Sequence, residues 1–422
     1  MRLGFSKDIR AFYPACLRSI LCRCLSVGLI LFLAACGGDT ASVTGNEGTV
    51  QEEPETPTDD TVPVSIDIPQ SPRSYRLGFQ SFPYESTLAA EVETWGYISD
   101  HADMVMVTMN DGVPWEEMIN GDPLPASISD RLDEIELYLN AFNGKSYLAI
   151  DMFSPSRTGL APDSEGRTVP DVVEGASAAE PTVKEAYIRY SELLVERLEP
   201  DYFSPMVRLD EYFYLRPSDY EAATETYSDL REEIKDLRVE TQVFPTWNLE
   251  VLAALTPNSA GVMFNDMRTL DAHSDLVGVV VNPASYLLDA EIMETDVLSQ
   301  IEEYTVRDVL VIASYPSAGY EAPPIIFPSS EASQYNFLAS LLTTAENGNY
   351  MGIIWQFPYD IDLYLEALCP GRLLDPRTPC FDNEAEFDLL RPNGSAGLLS
   401  PDGNRKTVSD LWNEFYARSY SL

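Results

Sequence analysis

Short apolar segments alternate with longer amphipathic segments from Tyr75 to the end of the chain. Strands separated by helices form a parallel sheet, and eight such strands are enough to close a barrel. The predicted strands cover residues 76–80, 104–108, 147–152, 202–209, 239–244, 276–281, 309–314 and 352–357. Helices are predicted at 129–142, 183–198, 220–237 and 332–346, where apolar residues recur at three-and-four spacing. The sequence therefore predicts an α/β protein with a single (β/α)₈ barrel.

The main alternative to a barrel is an open, doubly wound sheet. That fold requires a glycine-rich phosphate-binding turn after its first strand, and no such turn follows Gln80. The stretch from Tyr75 onward, about 350 residues, is also a usual size for one (β/α)₈ barrel. We therefore assign residues 73–422 to the barrel.

The N-terminal segment predicts export and lipidation. A basic flank precedes an apolar run that ends in Leu33-Ala34-Ala35-Cys36, which resembles a bacterial lipobox. This resemblance implies that residues 1–35 are a signal peptide, that Cys36 carries lipid, and that Gly37 directs the protein to the outer membrane. Residues 36–72 have almost no large apolar side chain, so we expect a disordered acidic linker. The alternative is an ordinary signal peptide or an uncleaved anchor.

Composition excludes several kinds of site. The formal net charge is −41, so we expect no nucleic-acid partner, and the lipid anchor as the only membrane contact. His101 and His273 are the two histidines of the sequence, which are few for a zinc site built on imidazoles or for a Ser-His-Asp triad. We therefore expect no metal or cofactor. Cys369 and Cys380 are predicted to form a disulfide, the alternative being two free thiols.

In a barrel of this kind the functional side chains lie at the C-terminal ends of the strands. The residues predicted there are rich in rings, amides and carboxylates: Gln80, Phe82, Asp111, Trp115, Asp151, Arg208, Asp210, Glu211, Trp247, Asn282, Tyr315, Trp355, Gln356 and Asp360. Such a set predicts a neutral carbohydrate ligand, with Trp115, Trp247 and Trp355 as platforms. Arg208 leaves recognition of an acidic sugar open. Alternatively, about half of the aromatic side chains only close the end of the barrel core.

Several short motifs, in order along the chain, resemble the clan of retaining (β/α)₈ glycoside hydrolases, especially its endo-β-1,4-galactanase-like members. They are Leu77-Gly78-Phe79, His101-Ala102-Asp103, Val113-Pro114-Trp115, Asp210-Glu211-Tyr212, the run from Ile312 to Gly319, and the run from Gly397 to Gly403 that leads to Trp412. The resemblance covers most of residues 75–418. It implies a sugar-processing barrel in a bacterial lipoprotein.

The family carries an Asn-Glu pair after strand four, and the resemblance implies that Glu211 is the general acid/base, with Asp210 as its neighbour. The alternative is that Glu211 caps the next segment or pairs with Arg216. After strand seven the family carries its nucleophilic glutamate, whereas this chain has Ser314. Serine without a histidine in reach is not a substitute nucleophile.

Three explanations of Ser314 remain open. Glu321 folds back from its loop, or Asp151 or Asp360 acts as a base in an inverting arrangement, or no hydrolysis occurs. Two functions follow, a glycoside hydrolase that uses Glu211 and a barrel that binds carbohydrate without cutting it. A structural envelope protein is a third, weaker alternative.

Overall fold

The computed structural model describes residues 62–109, 112–250, 267–286, 301, 305–322, 325–373, 378–380 and 384–421. Its strands are β1 Arg76–Gln80, β2 Met104–Met109, β3 Lys145–Ile150, β4 Tyr202–Ser204, β5 Gln242–Val243, β6 Thr246–Asn248, β7 Val277–Val281, β8 Val309–Ala313, β9 Tyr320–Ala322, β10 Ile325–Phe327 and β11 Tyr350–Trp355. Nine of them form one parallel sheet in the order β5-β4-β3-β2-β1-β11-β8-β7-β6. β9 and β10 form a separate antiparallel hairpin.

The sheet closes into a barrel because β5 and β6 are two halves of one strand. β5 pairs with β4, and β6, three residues further along the chain, pairs with β7. Pro245 separates the halves and has no N–H to donate to a ladder, which explains the interruption. Eight parallel strands therefore surround the core, and the predicted α/β barrel is confirmed.

The helices are α1 Leu88–His101, α2 Trp115–Asn120, α3 Ala126–Ala141, α4 Pro181–Leu198, α5 Leu209–Leu215, α6 Tyr220–Leu237, α7 Pro283–Tyr286, α8 Glu331–Asn347, α9 Asp362–Leu368, α10 Glu384–Leu390 and α11 Thr407–Tyr416. Helix α6 shows why the periodicity was informative, since Ala223, Tyr227, Leu230 and Ile234 form its buried face. None of the helices in the described ranges is long and apolar enough to cross a membrane.

Apolar side chains fill the barrel interior. They include Met104, Met106, Tyr147, Ala149, Tyr202, Phe244, Leu276, Val280, Leu310, Ile312 and Ile354. Gly78 lies where β1 meets β2, and a Cβ there would come within 2.7 Å of the Met104 carbonyl oxygen. The barrel is therefore a packed core, and a ligand can bind only at its ends.

The two ends of the described chain meet at the N-terminal end of β1. Arg73 is buried, donates to Asp103 Oδ2 over 2.8 Å and pairs with Tyr420 in an isolated bridge. Residues 62–72, the last part of the predicted linker, also contact the barrel, since the Val64 N–H donates to Asn336 Oδ1 over 2.7 Å. Cys369 and Cys380 form a disulfide in the segment that follows β11, with their Cα atoms 5.2 Å apart.

Candidate functional site

A ring of polar side chains covers the C-terminal end of the apolar interior. Side chains alternate along a strand, so the residue two positions beyond an inward-facing residue also faces inward. The last interior residues of β2, β3, β7, β8 and β11 are Met106, Ala149, Val280, Ile312 and Ile354. The residues two positions further on are Thr108, Asp151, Asn282, Ser314 and Gln356, and Gln80 has the same position on β1. These six residues are called the polar ring below. In a (β/α)₈ barrel this is the layer in which chemistry occurs.

One half of the ring is uncharged. Ser314 is fully buried, and its Oγ lies 2.7 Å from Gln356 Oε1 and 3.0 Å from Asn393 Oδ1. Asn282 Nδ2 donates to the same Asn393 oxygen over 3.1 Å, and Gln80 Nε2 donates to Thr108 Oγ1 over 3.2 Å. The position of the family's nucleophile therefore holds a hydroxyl bonded to amides, and no carboxylate contacts it among the residues that the structure describes.

Asp151 is the one charged member of the ring, and it lies beside a charged cluster outside the ring that centres on Glu211; Asp151 and this cluster are called the charged half below. Arg157 Nε lies 3.4 Å from Glu211 Oε2, and the Nη1 of the same guanidinium contacts Asp151 Oδ2. Arg208 Nη1 lies 3.5 Å from Glu211 Oε1, to which Asn248 Nδ2 donates over 2.7 Å. A guanidinium group thus lies beside each carboxylate oxygen of Glu211. The arrangement is an ion-pair network.

Both arginines are held in strained backbone. Arg157 has φ +56° and Arg208 has φ +51°, and the third non-glycine residue with positive φ among those described, Glu199, caps helix α4. The left-handed region costs a non-glycine residue about 1–2 kcal/mol and is concentrated at functional sites. The strained backbone at these two positions lowers the stability of the fold but places two guanidinium groups beside Glu211.

The loop after β3 supplies Arg157. Phe153 and Leu160 pair in an antiparallel bridge, and the Phe153 ring stacks on Tyr212 of α5 with centroids 3.7 Å apart. Arg216 Nη1 donates to the Thr158 carbonyl oxygen, whereas the ion pairs described for Glu211 are with Arg157 and Arg208. These contacts fasten the loop to the strand-four segment and place Arg157 between Asp151 and Glu211.

Two further carboxyl groups lie buried beside Glu211. Asp210 Oδ1 accepts from the Asn248 N–H over 2.8 Å, and the Glu250 N–H donates to Asn248 Oδ1 over 3.0 Å. Burial, helped by the negative charge of Glu211, raises the pKa of Asp210 to about 8. Burial likewise raises the pKa of Glu250 to about 8. Asp210 Oδ2 and Glu250 Oε2 have no hydrogen-bond partner within the described ranges, so both groups are held in their neutral form near pH 7.

The aromatic residues predicted as platforms are buried. Trp115, Trp247, Trp355 and Tyr315 are at most 1% exposed. The indole N–H groups of Trp115 and Trp355 donate to the carbonyl oxygens of Ala161 and Ala396, and the Tyr315 ring stacks on Phe337. Their apolar surface is used to join the loops to the barrel, and as they lie in this structure they offer almost no surface to a sugar.

Asp360 is not a cleft carboxylate either. Lys406 Nζ donates to Asp360 Oδ1 over 2.5 Å and to Ser317 Oγ over 2.8 Å. Burial raises the pKa of Asp360 to about 6, although the ammonium group of Lys406 opposes the shift. The pair joins the loops after β8 and β11 to the C-terminal segment. Asp111 and the Glu321 side chain lie outside the described residues.

Three residues of the site were missed by the sequence analysis. Asn248 would have been found if the strand had been continued past Pro245, whereas Glu250 follows the strand end in a helical stretch and is joined to Asn248 by a backbone N–H. Arg157 has no local signal, because it lies in an irregular loop. No group of three His, Cys, Asp or Glu residues in the described part of the chain is arranged to hold a metal ion.

Known structures share this architecture. The exo-β-1,4-mannosidase Op5Man5 from Opitutaceae bacterium strain TAV5 matches 84% of this chain at 13% identity with a TM-score of 0.55, and the chain spans 63% of that protein. Xylanase 10B from Thermotoga maritima matches 82% of this chain and 95% of its own length, at 10% identity and a TM-score of 0.51. GH5_18 from Bifidobacterium longum, solved with Manβ1-4GlcNAc, matches 81% of this chain and 78% of its own length, at 10% identity and a TM-score of 0.52.

These likenesses define the class of fold. The chain has a (β/α)₈ glycoside hydrolase-like barrel, as the sequence motifs predicted. Neither a protein-family model nor a curated protein matches it. Identities this low show the fold alone, so the particular likeness to galactanases stays a prediction and the activity must be argued from the site.

Proposed function

We propose that this protein binds a polysaccharide in a glycoside hydrolase-like cleft and does not cleave it. The observation that carries the proposal is Ser314, fully buried and hydrogen-bonded to Gln356 and Asn393 where a retaining hydrolase needs a carboxylate. The polar ring of amides, hydroxyls and carboxylates supports a sugar as the ligand. The glycoside hydrolases that share the fold support the same ligand class.

Hydrolysis through Glu211 is the second candidate. It is favoured by the buried carboxyl groups of Asp210 and Glu250 around Glu211, because strongly raised pKa values cluster at catalytic sites. The ion pairs with Arg157 and Arg208 argue against it, since both carboxylate oxygens of Glu211 already contact guanidinium groups, whereas a general acid must direct an oxygen at the leaving group.

One experiment separates the two functions. The full-length protein, purified in mild detergent, is incubated with a panel of neutral polysaccharides that includes galactan, and released reducing ends are measured beside the Glu211→Gln variant. Retention on the same polysaccharides is measured in affinity gels. We expect retention of the wild type on at least one polysaccharide and no release from any. Release that disappears in Glu211→Gln would instead establish the hydrolase.

We also propose that the protein is anchored by lipid in the bacterial cell envelope, in the outer membrane. The sequence Leu33-Ala34-Ala35-Cys36 supports this, although it lies outside the described residues. Cys36→Ala is expected to abolish palmitate incorporation, because that thiol is the predicted attachment site. Cys16→Ala is the matched control, since Cys16 lies in the predicted signal peptide. Labelling that persists in Cys36→Ala would contradict the anchor.

A further inference from the structure

The uncharged half of the polar ring is partly open to solvent. Gln80, Thr108 and Gln356 are each half-buried, whereas Ser314 beside them is fully buried. Gln80 and Gln356 are neighbours, because Phe79 of β1 pairs with Trp355 of β11 in the parallel register. Two side-chain amides thus lie together at the mouth of the barrel. Amides both donate and accept hydrogen bonds, as sugar hydroxyls require.

Phe82 adds an apolar surface to this half. It follows Gln80 by two residues and is half-buried. Its ring lies edge-on to Phe357 and Tyr364, with centroids 5.5 and 5.0 Å away. These contacts fix the ring beside the strand ends, while the tryptophans predicted as platforms are buried. A fixed, partly exposed ring two residues beyond Gln80 offers an apolar surface to a pyranose, whose CH face is apolar and whose edge carries hydroxyls.

The charged half is poorly suited to the same task. Asp151, Arg157, Glu211 and Arg208 already pair with one another, and a ligand would have to replace ion pairs between groups that are largely buried. Breaking such a pair leaves an uncompensated charge, which is costly. The acidic chain as a whole also repels anionic glycans.

We propose that Phe82, Gln80 and Gln356 form the ligand subsite, and that it takes a neutral pyranose unit of the polysaccharide. The proposal rests on the proposed binding function and names the part of the cleft that performs it. The charged network around Glu211 is then a scaffold that holds the loop after β3 against the strand-four segment.

The test compares variants of the full-length protein in affinity gels that contain the polysaccharide retaining the wild type. Phe82→Leu keeps an apolar side chain against Phe357 but removes the ring, and is expected to weaken binding about tenfold. Gln80→Ala is expected to weaken it about threefold to tenfold. Tyr214→Ala is the matched control, because Tyr214 is 44% exposed on α5 and should leave binding unchanged. Thermal unfolding of each variant shows whether the fold is kept.

The possible outcomes are distinguishable. Loss in Phe82→Leu and Gln80→Ala with native unfolding curves, and little change between 50 and 500 mM NaCl, supports the subsite, because uncharged contacts are not screened. Equal retention of both variants and the wild type overturns the subsite while the binding function stands. Binding that falls steeply with salt also overturns it, in favour of the arginines. No retention of the wild type on any polysaccharide overturns the binding function itself.

Discussion

Replacing Arg157 by methionine is expected to lower the free energy of unfolding by about 3–5 kcal/mol. Arg157 is fully buried and is the cation that contacts both Asp151 and Glu211. Methionine fills much of the same space but removes the cation that contacts Asp151 and one of the two cations that contact Glu211, the other being Arg208. Urea denaturation at pH 7 measures the loss, with the slope of the transition as a check that the unfolded state is unchanged.

Arg131→Met is the matched control for this prediction. Arg131 also contacts two carboxylates, Glu91 and Glu134, but its side chain is 39% exposed, so its removal should cost less than about 1 kcal/mol. The double variant Arg157→Met with Glu211→Gln should recover part of the lost stability, because it removes one of the uncompensated charges. An Arg157→Met protein as stable as the wild type would show that the guanidinium does not balance these carboxylates.

The second large effect concerns pH. Asp210 and Glu250 each have a pKa of about 8 in the folded protein, against ordinary values of 3.8 and 4.5, and burial is the main cause of both shifts. The folded state therefore holds protons that the unfolded state has lost between about pH 4 and pH 8. In this respect stability is greatest below about pH 4, falls as pH rises towards 8 and levels off above it. Each group contributes about 1.4 kcal/mol per pH unit over about three units, so we expect a decrease of about 8 kcal/mol between pH 5 and pH 9.

Neutral substitutions isolate these two groups. Asp210→Asn and Glu250→Gln resemble the protonated forms, so each should remove part of the decrease in the free energy of unfolding that occurs as pH rises towards 8. Asp275→Asn is the control of opposite sign. Burial tends to raise the pKa of Asp275, but hydrogen bonds from Lys235, the Val243 N–H and Arg231 outweigh that effect, so its pKa is lowered. That variant should be less stable than the wild type at neutral pH, and its free energy of unfolding should still decrease as pH rises towards 8. A flat wild-type profile from pH 5 to pH 9 would contradict the assignment.

The site combines the position of a catalytic carboxylate with the surroundings of a structural one. Glu211 follows strand four, where the resemblance places the general acid/base, and it lies at the start of a short helix rather than at a free strand end. Its neighbours are two guanidinium groups and the amide of Asn248. Such contacts hold a carboxylate in place and engage both of its oxygens, which suits a binding barrel better than proton donation to a leaving group.

The sequence predicted those parts of the fold that depend on local periodicity. The strand at β1 and the helix at α6 were predicted with the observed bounds, because their apolar residues recur at the spacing of one buried face. The strand-five prediction was less accurate. It ended at Phe244, whereas the strand resumes after Pro245 and ends at Asn248, and Glu250 follows two residues later in a helical stretch, with its N–H bonded to Asn248 Oδ1.

The sequence by itself predicted the barrel and the residues at the strand ends, including Ser314 at the exit of strand seven. Only the tertiary structure decided which of those residues face a ligand, since Trp355 and Tyr315 occupy strand-end positions and are nevertheless buried. Only the tertiary structure also brought Arg157 to Glu211, 54 residues further along the chain. Hydrophobic periodicity records the face that an element buries, whereas a buried charge is placed by partners far away in sequence, which periodicity does not record.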